Sequence, residues 1–290
     1  MCMALSNPQM ERFEATFHAH RAHTRKVSLV GVGVLALCLA GAVEVSGFSL
    51  GRLIEGLPRV GDFLFGLVPP LQLETLGADL ASWFWGLREW LELVWTTLMI
   101  AFFGTSVGTI LGATASFFAA RGLGGGRWTG TILRRTLEVA RTVPDLVWAL
   151  IFMFAFGLGP LAGALAIMLH TFGAQGKLFA DVNENVDMLP LEGVRAAGGT
   201  WFDEMLTGLL PQVLPNYVSY SLWRFEMNVR SATVVGFVGA GGIGMTLYES
   251  LSLGYYDDAG AILLLVFAVV SLNDIFSEWL RLRIAGAQDD

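Results

Sequence analysis

The residues best placed to act on a solute lie between Leu210 and Gly236. Tyr217, Ser221, Arg224, Asn228 and Ser231 recur at intervals of three or four and so share one helical face. Arg224 offers a permanent charge and a planar fork of donors, with amide and hydroxyl groups beside it. In the same stretch Glu226 and Arg230 stand four apart and can neutralise each other, which leaves Arg224 without a local partner. Arg141 and Asp145 have the same spacing and form a second candidate structural pair, with Pro144 between them to bend or start a helix. His170, next to Thr171, is read as a packing residue rather than a proton carrier.

Two other patterns imitate known chemistry. Gly239, Gly241 and Gly244 fit G-x-G-x-x-G behind an apolar run, which is a dinucleotide loop only if a strand precedes it and a βαβ unit surrounds it. His18, His20 and His23 form H-x-H-x-x-H, but no carboxylate or cysteine pattern completes a metal site, so a solvated tail is expected. Cys2 and Cys38 provide neither a disulfide framework nor metal-ligand spacing. No nucleophile–base set or paired-carboxylate site falls on one face, which disfavours a membrane-embedded enzyme.

The elements that position these residues follow from composition. Of 290 residues, 54% are hydrophobic and only 15% charged, against about 25% charged in ordinary soluble domains. Apolar runs of spanning length lie at about 27–46, 91–119, 133–158, 160–180, 210–236 and 258–280. The expectation is an all-α, polytopic membrane protein with six transmembrane helices. Residues 1–26 form a polar tail, 27–46 a first helix retained in the membrane, and 284–290 a C-terminal tail. Residues 47–89, too interrupted to span, suit an external or interfacial segment, and 90–283 form the core with a loop at 184–210.

Charge orients the chain. Arg12, Arg21, Arg25 and Lys26, then Arg121, Arg127, Arg134 and Arg135, then Arg195, and finally Arg281 and Arg283 fall on one side. Both termini are therefore expected in the cytoplasm. A net charge of −7 offers no basic field for nucleic acid. With no alternating βα pattern around it, the glycine stretch including Gly242 reads as a hinge and packing element at the end of the fifth span.

The cytoplasmic loop NVDMLPLEGVRAAGGTWFDEMLTGLLPQVLP carries Val194, Ala197, Trp201 and Met205 at helical spacing, an apolar stripe with no partner in view. A helix over 190–206 with that stripe outward predicts a docking partner. The loop resembles the coupling motif of ABC-importer permeases, E-A-A-x-x-x-G-x(9)-I-x-L-P, with Glu192, Gly198, Leu210 and Pro211 in register. It departs from that motif in Gly193 and Val194, which replace the alanines, and in Gly208 at the isoleucine. RTVPDLVWALIF (141–152), FGLGPLAGALAIMLHTFG (156–173), GKLFADVNENVD (176–187) and 210–244 resemble the phosphonate branch of these permeases.

The resemblance implies a type I importer permease fold in a bacterial cytoplasmic (inner) membrane. It implies as partners a second copy of the chain, two ATP-binding cassette subunits, an extracytoplasmic phosphonate-type solute-binding protein and the lipid bilayer. It also implies that Glu192, Gly198, Leu210 and Pro211 receive the motion of the ATPase, and Trp201, from the apolar stripe, is expected to act with them. ATP and Mg belong to that partner, and no cofactor is expected here. The chain's only Gly-Lys, Gly176-Lys177, is followed by Leu178 and has Thr171 where a P-loop needs its first glycine. The expected cargo is a phosphonate, phosphite, hypophosphite or phosphate ester. Arg224 then has two open roles, a weak contact for a passing oxyanion or a structural network. A permease for another solute and an ion-coupled secondary transporter are the alternatives, the latter predicting repeated halves that the sequence does not display.

Overall fold

A computed structural model describes residues 7–123 and 126–286; the side chains of His18 and His23 lie outside the described set. Among the described residues every regular element is a helix. The chain divides into two units, Met1–Phe65 and Gly66–Asp290.

The first unit holds α1 (Asn7–Ser46) and nearly all of α2 (Leu50–Gly66). The part of α1 over Thr24–Ser46 is long and apolar enough to cross a bilayer, and none of it is buried. Along α2, Leu50, Leu53, Ile54, Leu57, Val60 and Leu64 line one face, all exposed, while Arg52, Glu55, Arg59 and Asp62 line the other. A helix so divided suits a water–lipid boundary.

The second unit is built around α4 (Leu87–Ala119) and α7 (Pro160–Asn183). Gly104, Gly108 and Gly112 stand four apart on α4 and form a stripe against α7. A Cβ at 108 would sit 2.6 Å from the Met168 carbonyl oxygen, and one at 112 would sit 2.8 Å from the Gly176 nitrogen. The backbones therefore touch, as small-xxx-small interfaces allow within lipid. The opposite side of α7 packs on α5 (Arg127–Thr142) through Gly173 and the buried Leu137.

The expected span at 133–158 is not one rod. α5 ends at Thr142 and α6 (Asp145–Phe156) leaves at 92°. Pro144 has no N–H and disfavours helical backbone at Val143, which is extended (φ −77°, ψ 123°). By length and composition three helices qualify as spans, Thr24–Ser46, Leu87–Ala119 and Tyr256–Arg283, with the bent α5–α6 pair as a fourth. α7 and α10 (Leu210–Gly236), expected as spans, do not qualify on composition. Their interrupting polar residues meet one another inside the unit, as described below.

The glycine-rich stretch follows no strand. It is the corner between α10 and α11 (Ile243–Leu253), where Gly239, Gly241 and Gly242 take φ of +92°, +80° and +76°. There the Gly159 N–H donates to the Gly239 carbonyl (3.0 Å) and the Ile243 N–H to Thr97 Oγ1 (3.0 Å). A Cβ on Gly244 would overlap the Thr233 carbonyl, so α10 and α11 meet backbone to backbone. From there α12 (Tyr256–Gly286) returns along α10, and α3 (Leu76–Trp83) anchors to it through Trp83 Nε1 and the Asp257 carbonyl (2.8 Å).

Candidate functional site

The loop between α7 and α10 departs from the expected 190–206 rod. α8 covers only Leu189–Ala196. The Gly199 N–H closes it onto the Val194 carbonyl (3.0 Å), and Gly198 adopts φ +84°, the left-handed stop that glycine tolerates. Thr200 then caps a new start, its N–H donating to Asp203 Oδ2 (2.7 Å) and its hydroxyl accepting from the Asp203 N–H. α9 (Trp201–Asp203), a π-helical turn over Glu204–Leu209 and α10 follow without a break.

This elbow is fixed to its own chain by several contacts. Arg195 grips Glu204 with both arms of its fork, Nε to Oε1 at 2.9 Å and a terminal nitrogen to Oε2 at 2.7 Å. The Arg195 guanidinium holds the Glu204 carboxyl below its usual range, and the Thr200 hydroxyl does the same for Asp203. Leu191, fully buried, lies over Gly208, where a Cβ would stand 3.2 Å from the Leu191 Cα. That close approach accounts for glycine where the coupling motif has isoleucine. Gln212 joins the ends by accepting from the Asp187 N–H and donating to the Asp187 and Gly208 carbonyls.

The proposed outward stripe is corrected at two positions. Trp201 donates from Nε1 to the Leu123 carbonyl (2.6 Å) and leans on Phe118, and Met205 is 3% exposed in the same cluster. Trp201 and Met205 thus hold the elbow to the body. What faces outward is Leu189, Glu192, Gly193, Ala196, Ala197 and Gly198, with Phe202 and Leu206 beyond the bend. Leu210 is half-buried beside Leu209 and Val213, and Pro211 is exposed in the first turn of α10.

The polar face of α10 also divides. Tyr217 Oη donates to Asn183 Oδ1 (2.8 Å), shares a bond with Ser116 (2.9 Å), and its ring stacks on Phe179. Asn228 donates to Thr105 (2.8 Å) and Thr171 (2.8 Å). Both residues are buried, and their bonds tie α4, α7 and α10 together. Ser221, half-buried, donates to the Tyr217 carbonyl, and Ser231 is half-buried.

Between these two clamps lies Arg224. Its Nε is buried with no hydrogen-bond partner, and no carboxylate comes within 4.0 Å of it among the described residues. Gln175 Oε1, on the facing helix, is also buried and unbonded, while its Nε2 donates to the Tyr220 carbonyl (2.9 Å). His170 and Asp145 lie close enough to interact electrostatically with Arg224. His170 Nδ1 bonds the Val143 carbonyl (3.0 Å), so the α5–α6 break brings Val143, Asp145 and His170 to this place. Arg141 and Asp145 form no ion pair. The break takes them off a common helix, Arg141 is exposed, and Asp145 accepts from the Leu146 N–H at the head of α6.

Glu226 and Arg230 do pair (2.8 Å), within a larger network that the sequence reading missed. Arg230 also reaches Asp274 (2.6 Å) and Arg281 reaches Glu226 (3.4 Å), both from α12. Spacing within one helix cannot disclose partners roughly fifty residues away.

Membrane-length helices therefore enclose a polar seam, and an anchored elbow beside it carries an exposed face. The chain belongs to the family of binding-protein-dependent transport system inner membrane components, whose model matches residues 108–285. It is 37% identical over 251 residues to the phosphite transport system permease protein PtxC of Stutzerimonas stutzeri, covering 87% of this chain and 85% of that one. It is 34% identical to the phosphate-import permease protein PhnE of Mycolicibacterium smegmatis, covering 91% of this chain but 47% of that longer one. Among solved structures, an inward-facing form of the MetNI methionine ABC transporter superposes with a TM-score of 0.58 at 21% identity, over 67% of this chain and 95% of that one. That likeness supports the fold.

Proposed function

We propose that this chain is the membrane subunit of an ATP-driven importer for phosphonates or related phosphorus oxyanions, such as phosphite, hypophosphite or phosphate esters. The names of its relatives, a phosphite permease and a phosphate-import permease, support that substrate class. Two copies form the translocation path, two ATP-binding subunits dock beneath them, and a solute-binding protein delivers cargo from outside. ATP and Mg are bound by the docked subunits, and both termini of the permease lie in the cytoplasm.

The observation that carries the mechanism is the attachment of α8 to the helix bearing Arg224. From Thr200 to Gly236 the backbone is one continuous helical element, about 55 Å long at about 1.5 Å per residue. Displacement of α8 reaches this element through Arg195–Glu204 and through Leu191 on Gly208. ATP closes the motor subunits, α8 moves with them, and the long helix tilts relative to α4 and α7. Hydrolysis reverses the motion. Arg224 stands in the moving seam as a donor for the cargo's oxygens, with Ser221 and Ser231 on its flanks. Contact must stay weak, since a deep well would trap the ion.

The test is directed at the docking face, away from the seam. Glu192→Ala removes the exposed charge in the first turn of α8, and Gly198→Trp forces a side chain onto a left-handed backbone, at about 1–2 kcal/mol. Either variant is expected to retain its helical content while losing co-purification with the ATP-binding subunit and substrate-stimulated ATPase. Full coupling in both variants would remove α8 from the power path.

A further inference from the structure

A cavity of about 350 Å³ opens beside the end of α4, and no residue of α8, α9 or α10 is among its lining. Arg121, Arg134, Arg135 and Lys177 line it, and Glu138 is the one carboxylate among its lining residues. Arg134 is committed to Glu184 and the Ala119 carbonyl, and Lys177 to Asp181. Arg135 shares Glu138 at 2.6 Å with its side chain 76% exposed, and no carboxylate pairs with the Arg121 guanidinium among the described residues. The wall therefore keeps positive charge to offer.

The helix forming this wall has a second character. On α5, Thr131, Arg134, Arg135 and Glu138 face the cavity, while Trp128, Ile132 and Val139 form the adjacent face, all strongly exposed. Arg135 stands at the boundary between the two faces. Exposed tryptophan beside a basic cavity is the pattern of a headgroup-level contact, with the ring in the interfacial zone and the aliphatic residues against acyl chains. The density of arginine in this loop puts it on the cytoplasmic side, where the leaflet carries negative charge.

We propose that this cavity binds the phosphate of an anionic phospholipid, whose chains lie along Trp128, Ile132 and Val139. Its position gives occupancy a route to the transport machinery. Glu184, which accepts from the Arg121 N–H (2.9 Å) and from Arg134, sits where α7 passes into the elbow, and the Leu123 carbonyl two residues beyond Arg121 holds Trp201. The site takes a lipid of the surrounding membrane and is independent of which solute is carried.

The experiment measures retention of phosphatidylglycerol by the full-length protein, by native mass spectrometry, after extraction from phosphatidylcholine nanodiscs containing a minority of phosphatidylglycerol. Wild type is expected to keep the anionic lipid selectively and saturably. Arg121→Ala and Arg135→Ala should each weaken retention about fivefold, the effect of one basic residue near an anionic surface. Trp128→Ala should weaken it too, without changing binding of inorganic phosphate. Both arginines are exposed, so unchanged melting curves are expected. Retention unaffected in the Arg121/Arg135 double variant would overturn the proposal. So would a cavity that binds inorganic phosphate as well as it binds the lipid, since the acyl-chain face would then contribute nothing.

Discussion

Arg224→Ala is expected to lower solute uptake by about ten- to a hundredfold in the reconstituted importer, while its ATP-binding subunits stay bound. A hydrogen bond from a charged donor is worth about 1.5–3 kcal/mol, and that range sets the factor. The expectation comes from what surrounds the guanidinium. Tyr217 and Asn228, on the same face of α10, bond to side chains of α4 and α7, whereas Arg224 Nε is buried with no partner. A buried donor left open is costly, and native proteins keep few of them without a use. Arg224→Lys should recover only part of the uptake, because an ammonium keeps the charge but loses the planar fork. Undiminished uptake by Arg224→Ala would take this residue off the path. A fall in uptake matched by an equal fall in folded protein would assign it to architecture.

Gly108→Val should prevent accumulation of folded protein. The first added carbon would meet the Met168 carbonyl at 2.6 Å and Thr171 Cβ at 2.8 Å, and neither backbone can withdraw without parting α4 from α7. Overpacking costs about 1–3 kcal/mol in an ordinary core. Here it also displaces Thr171 from Asn228, exposing a buried amide to a loss of about 1–3 kcal/mol more. The control is Gly31→Val on α1, where a Cβ meets nothing within 4 Å. Equal yields of the two variants, compared by fluorescence-detected size exclusion, would contradict the close α4–α7 contact.

Several features of this fold were readable because they are local. Apolar run length marks α1, α4 and α12, Pro211 marks the first turn of α10, and the spacing of Glu226 and Arg230 anticipates their ion pair. Two missed features had signals in plain view. Gly104, Gly108 and Gly112 repeat a small-xxx-small pattern, and Thr200 followed by Asp203 spells a capping box. Other features had no local signal. Periodicity puts Tyr217, Arg224 and Asn228 on one face but cannot say whether that face meets water or another helix. The grouping of Asp145 and His170 at Arg224 depends on a right-angled break at Pro144, and the Asp274 and Arg281 links depend on how α12 returns. For the same reason spacing puts Trp201 and Met205 on an outward stripe, whereas Leu123 and Phe118 hold Trp201 and Met205 is buried among Leu191, Leu209 and their neighbours.

The central claim is that mechanical work enters this permease through α8 from a separate ATPase. The most direct measurement is accumulation of labelled phosphonate or phosphite inside proteoliposomes, with the solute-binding protein supplied outside and the ATP-binding subunits present or omitted. The account predicts uphill accumulation only with those subunits and enclosed ATP, and none with the permease alone under any imposed ion gradient. Concentrative uptake by the permease alone would contradict it.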